Sequence, residues 1–525
     1  MQRSISINKY QNSFVPDSNI ISDKLFQKLV KKVFQSKPEL KNIVENYGDM
    51  TLYDYAKRYN EPNTTLQNNK RKEEFITVFT QEVERLIDKE TAESCKEQLS
   101  RIYRIATSDH HGPLSETGMV NANIHEALPY LNGDNTIKNI ITLGCANISF
   151  DNFSFPRCLL FHTREENGVT QNQIPFYPRS VRPCPVIYYP SYTMENIEHA
   201  IKRIDDWERE NTISDKIAHE LKILLYEIYT DPSVLKQKTF SDQVTKTNFT
   251  LWKKIMKYYP DAPNLIYIEQ EHIVSKLLAA YHLDQDTLIH KLLFTPEYHE
   301  LILKHFDGIL RSFSTKDKIG TYLFWALPQG AKYRVQLWKS GNYLQTDDGS
   351  YKIELTPVGI RKAIQNKELI PSTLMSFIVI AFYYGVRLVG GPTQTTYLTQ
   401  MKEAFIAMQK EYGDLQSIAD IADLRTNDLS MNVKSFSFLK ADNETKVPLT
   451  GVDLILFGNV KTLSIIRSLS KVLTVKEFVY RAMPDFYKMF CREEEPDEEL
   501  LKLTEEDIDK YLGLEGTIVP SAKLI

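Results

Sequence analysis

The chain has 525 residues, 42% of them apolar and 25% charged, which is the composition of a folded globular protein and excludes a disordered one. Its formal net charge is 64 − 68 = −4 without a long basic block, so nucleic-acid binding has no general electrostatic support. The five cysteines (Cys95, Cys145, Cys158, Cys184 and Cys491) are scattered without CxxC spacing, which fits a reducing compartment and not a disulfide framework.

The first fourteen residues lack the apolar stretch of a secretory signal, and the expected location is cytoplasmic. Residues 1–100 read as a helical N-terminal region, with apolar residues at helical spacing over 23–34 and 73–87. Residues 101–194 change character and read as the first part of an α/β core. The runs 137–148 and 158–163 are short, apolar and bounded by Gly, Asn, Asp and Pro, as buried strands are, and 186–189 is a weaker strand candidate. Residues 195–315 read as a helical insertion, with stripes over 215–229 and 271–281. Strands return in 316–460 as TYLFWAL, YRVQLW, YKIEL and LTGVDLILFGN, forming the second part of the core. Residues 461–525 read as a helical C-terminal region ending in an acidic tail from Glu493 to Asp509. The apolar run 374–389 is too short to cross a bilayer and reads as a buried helix or a helix-strand pair, so no membrane partner is expected. Together these elements predict an α/β fold whose mostly parallel sheet is built from two distant chain segments.

Three polar clusters carry candidate chemistry. In the first, Asp109-His110-His111 precedes Gly-Pro and a helical run holding Asn121 and Asn123. His110 or His111 suits proton transfer near neutral pH. Asp109 with these histidines, joined by His125 or His162, also offers a metal-dependent hydrolase reading. Adjacent histidines diverge, however, and no HExxH pattern is present, so no metal is assigned. In the second cluster an apolar strand gives way to Asn147 and then Arg157, whose planar fork can grip a carboxylate or phosphate. In the third, Arg387, Gly390, Gly391, Gln394 and Tyr397 join a buried run to a new helix. The glycines let a ligand approach the backbone, and Gln394 and Tyr397 share a helix face three residues apart. Upstream, Asp347-Asp348-Gly349 is a turn, and Thr356-Pro357 suits the N-cap and first position of a helix.

Residues 320–410 resemble the family of bacillithiol biosynthesis cysteine-adding enzymes, whose Gly-Gly-Pro-Gly-Glu loop, Ala-Tyr-Trp and Gln-Leu-Lys helix are matched in order. This chain has Gly390-Gly391-Pro392-Thr393-Gln394, then Thr396-Tyr397-Leu398 and Gln400-Met401-Lys402. A fainter likeness covers His110-His111-Gly112-Pro113-Leu114, and Asn121 to His125 stands in the family's Tyr and Lys positions. The resemblance implies a Rossmann-like core, self-association as a homodimer, use of ATP or another nucleotide, and amide formation between an amino acid and an amine. The chain departs from the family where Asn147 to Asn152 replaces a Glu-Asp-His-Asp signature and where Gln394 replaces a glutamate. A diverged ligase with its own small-molecule substrate is therefore expected. The missing signature also admits a non-enzymatic binding protein or secreted effector, since glutamate-rich C-termini serve as secretion signals in some bacteria.

Overall fold

The computed structural model describes residues 21–61, 69–165, 168–432, 434, 435, 437–441, 445–491 and 496–524. At its centre lies a five-stranded parallel sheet of β1 (Arg104–Ala106), β2 (Asn139–Gly144), β3 (Asn264–Glu269), β4 (Arg387–Gly390) and β5 (Asp428–Leu429). Their order across the sheet is β5-β4-β1-β2-β3, so the sheet grows one way from β1 to β3 and the other way from β4 to β5. Register is set by Arg104 opposite Arg387, Ala106 opposite Thr142, Asn139 opposite Asn264, and Val389 opposite Asp428.

Both faces of the sheet are buried, which is why its strands read as unbroken apolar runs. Ile140, Leu265, Tyr267, Val389 and Leu429 belong to one core layer, and Ile105, Ile141, Ile266, Ile268 and Leu388 to the other. The alternation along each strand is the period-2 geometry of extended chain. Helices α1 (Asn69–Leu86) and α2 (Lys89–Arg101) cover the second face together with α5 (Gln270–Leu277). The first face is covered by α3 (Thr117–Leu131) and α4 (Phe240–Ile255). The run 374–389 is a helix-strand pair, with helical turns over Thr373–Phe377 and Ile378–Tyr383 before β4.

Several expectations need correction. The block 195–315 is not a purely helical insertion, because it supplies the edge strand β3. Its signal was Pro263 followed by a short β-branched and aromatic run. LTGVDLILFGN is the helix Gly451–Phe457, not a strand. Thr450 Oγ1 accepts the N–H of Asp453 while Asp453 Oδ2 accepts that of Thr450, each at 3.0 Å, and this capping box starts a helix whatever the β-propensity of the run. Residues 186–189 form no strand. Cys158–Glu165 pairs only with Gly168–Pro175, as a hairpin apart from the main sheet. The predicted strands between 321 and 355 exist as Phe324–Ala326, Val335–Gln336, Trp338–Ser340 and Lys352–Glu354, but they build two small antiparallel sheets.

The acidic C-terminal segment is docked. Leu500, Leu503, Ile508 and Leu514 are buried in the first core layer, and Arg481 reaches Glu505 and, at 2.6 Å, Asp509 Oδ1. Glu493 lies outside the described residues. No helix among the described residues is long and apolar enough to cross a membrane.

Candidate functional site

β1 and β4 are neighbours whose chains leave toward opposite halves of the sheet, so their carboxyl ends flank the reversal of strand order, the crevice position of parallel α/β folds. In parallel α/β sheets ligands bind at such reversals. Two loops face each other there. After β1, Thr107 donates its N–H to Val389 O at 2.8 Å. After β4, Gly390 and Gly391 lead into α6 (Pro392–Tyr412). Gln394 Nε2 donates to Thr107 Oγ1 at 2.6 Å, which ties the loops together. A Cβ on Gly390 would lie 2.3 Å from Gln394 Cδ, so the glycine is required for that side chain to fold back. Gly390→Ala is therefore expected to expel Gln394 and lower stability by about 1–3 kcal/mol, the cost of overpacking; urea unfolding measures it, and an unchanged midpoint would refute the assignment.

The Asp109 loop pairs with the end of β2 through a bulge. Ala106 lies opposite Thr142 and His110 opposite Cys145, so four residues of one strand are answered by three of the other. His111 N–H donates to Cys145 O at 2.8 Å and Cys145 N–H to Asp109 O at 2.9 Å. The fully buried Asp109 carboxyl accepts Asn123 Nδ2 at 2.9 Å and Ser108 Oγ at 3.0 Å. Burial pushes its pKa up to about 7 despite those hydrogen bonds. Burial also pushes both histidines down to about 4, with the positive charge of Arg311 adding to the effect on His110. The His110 ring sits 3.3 Å from Ser154 Oγ and meets Phe153 edge-on. His111 turns the other way, its Nε2 donating to Ser241 O at 3.0 Å and its ring stacked on Tyr267. Gly144 gives that ring room, since a Cβ there would lie 2.9 Å from His111 Nδ1. Of the three candidate catalytic residues in this loop, Asp109 is the one that changes charge near neutrality, and not the histidines expected to transfer protons; the imidazoles are neutral there.

At the ends of β2 and β3 a polar network assembles that the motifs did not announce. Glu271 accepts the N–H of Ala146 at 2.9 Å, the N–H of Asn147 at 3.2 Å and the Cys145 thiol at 3.2 Å. Arg334 donates to both the backbone and side-chain oxygens of Asn147 and stacks over Trp325. Burial raises Glu271, and it pushes Glu269 up to about 7. Burial and the neighbouring Glu271 push the Cys145 thiol well up, so it is not an activated nucleophile. Tyr397 is buried, its ring stacked on Phe377 and close enough to Cys145 and Arg311 to feel their charge. Glu269 and Glu271 were legible as acids closing an apolar run; Arg334 sits in a loop between short strands with no sequence signal.

Asp109, His110, Asn123, Asn147, Gly390, Gly391, Gln394 and Tyr397 thus belong to loops or helix turns at one edge of the sheet. Three other expected site residues are engaged elsewhere. Asn121 Nδ2 holds the loop after β5 through Met431 O and Lys434 O. Arg387 lies at the amino end of β4, where its guanidinium binds Tyr59 O and Asp428. Arg157 donates to Tyr177 O at 2.9 Å and lines a cavity that none of the crevice residues line. Among the described residues no three His, Cys, Asp or Glu side chains are grouped to hold a metal ion. His125 instead binds Leu52 O, and His162 pairs with Asp453 at 2.6 Å. Compared with protein-family models and with curated proteins, the chain matches none.

Proposed function

We propose that the chain is a cytosolic ligase-like enzyme with a Rossmann-like core, joining an amino-acid-like substrate to an amine with consumption of a nucleotide. The observation that carries this reading is the Gln394 to Thr107 bond across the reversal of strand order. It brings a glycine corner, the start of a long helix and a carboxyl poised near neutrality to one crevice. In the proposed reaction the nucleotide phosphates lie beside Gly391 at the start of α6, whose dipole favours anions. Asp109, ionised in part of the population near pH 7, would accept the proton that an attacking ammonium must lose before it forms an amide. Glu271 and Arg334 hold the Cys145–Asn147 turn, leaving Tyr397 as the adjacent polar contact for substrate.

Purified protein incubated with ATP and a panel of amino acids and amines is expected to release ADP or AMP with at least one pair. Calorimetry should detect nucleotide binding that Gly391→Val weakens about tenfold or more, because a side chain there crowds both Asn432 and the phosphate path. Absence of nucleotide binding would remove the ligase reading.

A further inference from the structure

Beside the hairpin of residues 158–175, outside the crevice, lies a cavity of about 290 Å³ lined by Asn152, Arg157, Gln173, Arg179 and Arg182 among others. A second cavity of about 210 Å³ shares Arg157, Gln173 and Arg179 with it and adds Arg203. The two form one arginine-lined trough. We propose that this trough binds a small molecule carrying at least two phosphate groups.

Charge is the first argument. None of the four arginines has a carboxylate ion-pair partner among the described residues, although ion pairs are frequent elsewhere in the structure. The one acid in the lining, Asp151, accepts a hydrogen bond from Ser149 Oγ. Asp206, next to Arg203 in an adjoining cavity, pairs with Arg209. Four guanidiniums facing one carboxylate leave three positive charges without compensation. Burial is the second argument. Arg157 is only 9% exposed, and its single hydrogen bond, to Tyr177 O, neutralises no charge. A guanidinium this deep without an acid beside it is a favourable seat for an anion. Convergence is the third. The charges of Arg157, Arg203 and Arg182 all act on the Cys158 thiol, although burial still pushes it up to about 11. Arg157 and Arg179 line both cavities, Arg182 joins them in the first and Arg203 in the second, and three surplus charges spread along such a trough match a bis-anion better than a single carboxylate. The cavity volumes admit a phosphate ester or anhydride. Phe155, held at φ 51°, closes one side of the first cavity.

The inference is independent of the ligase reading, and inorganic pyrophosphate tests it. Titration of the full chain at 0.15 M salt is expected to show binding at the trough, with orthophosphate bound there about tenfold more weakly. The double variant Arg179→Ala/Arg182→Ala, at two exposed positions, should lose at least about tenfold in pyrophosphate affinity while keeping the wild-type circular dichroism spectrum. Arg157→Gln should abolish binding, and Gly391→Val should leave it unchanged. The proposal is overturned if pyrophosphate does not bind at millimolar concentration, if citrate binds as tightly, or if the double variant binds normally. It is equally overturned if Gly391→Val alone abolishes binding, because the anion would then sit in the crevice.

Discussion

Arg387→Met is expected to destabilise the protein by about 3–5 kcal/mol, the cost of stripping one partner from a buried charge pair. The Arg387 side chain is almost wholly buried, and burial lowers its pKa to about 10. Its Nε lies 3.2 Å from Asp428 Oδ2, and its Nη atoms donate to the carbonyls of Arg58, Tyr59 and Glu61. Directly opposite on β1, Arg104 pairs with Glu126 and donates to Asn60 at 3.3 Å. With Arg425, which pairs with Asp428 at 3.7 Å and Glu61 at 2.9 Å, three guanidiniums and three carboxylates thus balance around the amino ends of β1 and β4. They fasten the 58–61 segment, the helix α3 and the strand β5 to the sheet. Methionine fills similar volume, so the loss would report Asp428, left with only Arg425 Nε at 3.7 Å, and the orphaned carbonyls more than a cavity. Urea unfolding measures the change. Arg387→Met combined with Asp428→Leu should recover part of it, and a single-variant loss below about 1 kcal/mol would deny the pair any structural role.

That arginine also shows why the site was only partly legible in the sequence. The apolar runs of β2 and of 374–389 announced themselves because strands buried on both faces carry no polar punctuation. The glycine corner and the Asp109 loop were legible for a related reason: Gly-Gly after a buried run and a polar string before a helix are breaks in pattern. Spacing does not say which way a side chain leaves the backbone. Arg387 is three residues from Gly390, yet it lies at the far end of β4, and Arg157 faces the hairpin instead of the crevice. The strand β3 was hidden because a short run between helical stripes is shared property of strands and helix cores. Glu271 and Arg334 meet Asn147 from 124 and 187 residues away, and no local pattern encodes such a meeting.

Asp109→Asn is expected to change how stability depends on pH. The Asp109 carboxyl has its ordinary pKa of 3.8 in the unfolded chain and about 7 when folded. Between those values the folded state holds a proton that the unfolded state has released. Raising the pH through that window therefore favours unfolding, with a slope near 1.4 kcal/mol per pH unit for one proton. Its stabilising contribution is complete below about pH 4 and gone above about pH 7, a span on the order of 4 kcal/mol. His110 and His111 act with the opposite sign. Their pKa values fall from 6.5 to about 4 on folding, so their contribution is lost as pH falls through that range. Glu269, raised to about 7, acts in the same direction as Asp109. Subtracting the stability profile of the asparagine variant from that of the wild-type protein cancels these other groups. The amide also keeps the shape of the protonated carboxyl beside Asn123 and Ser108. The difference should fall steadily from pH 4 to pH 7 and then level. A flat difference across that window would mean that Asp109 is ionised throughout, and proton acceptance near neutrality would have to be assigned to another group in the crevice.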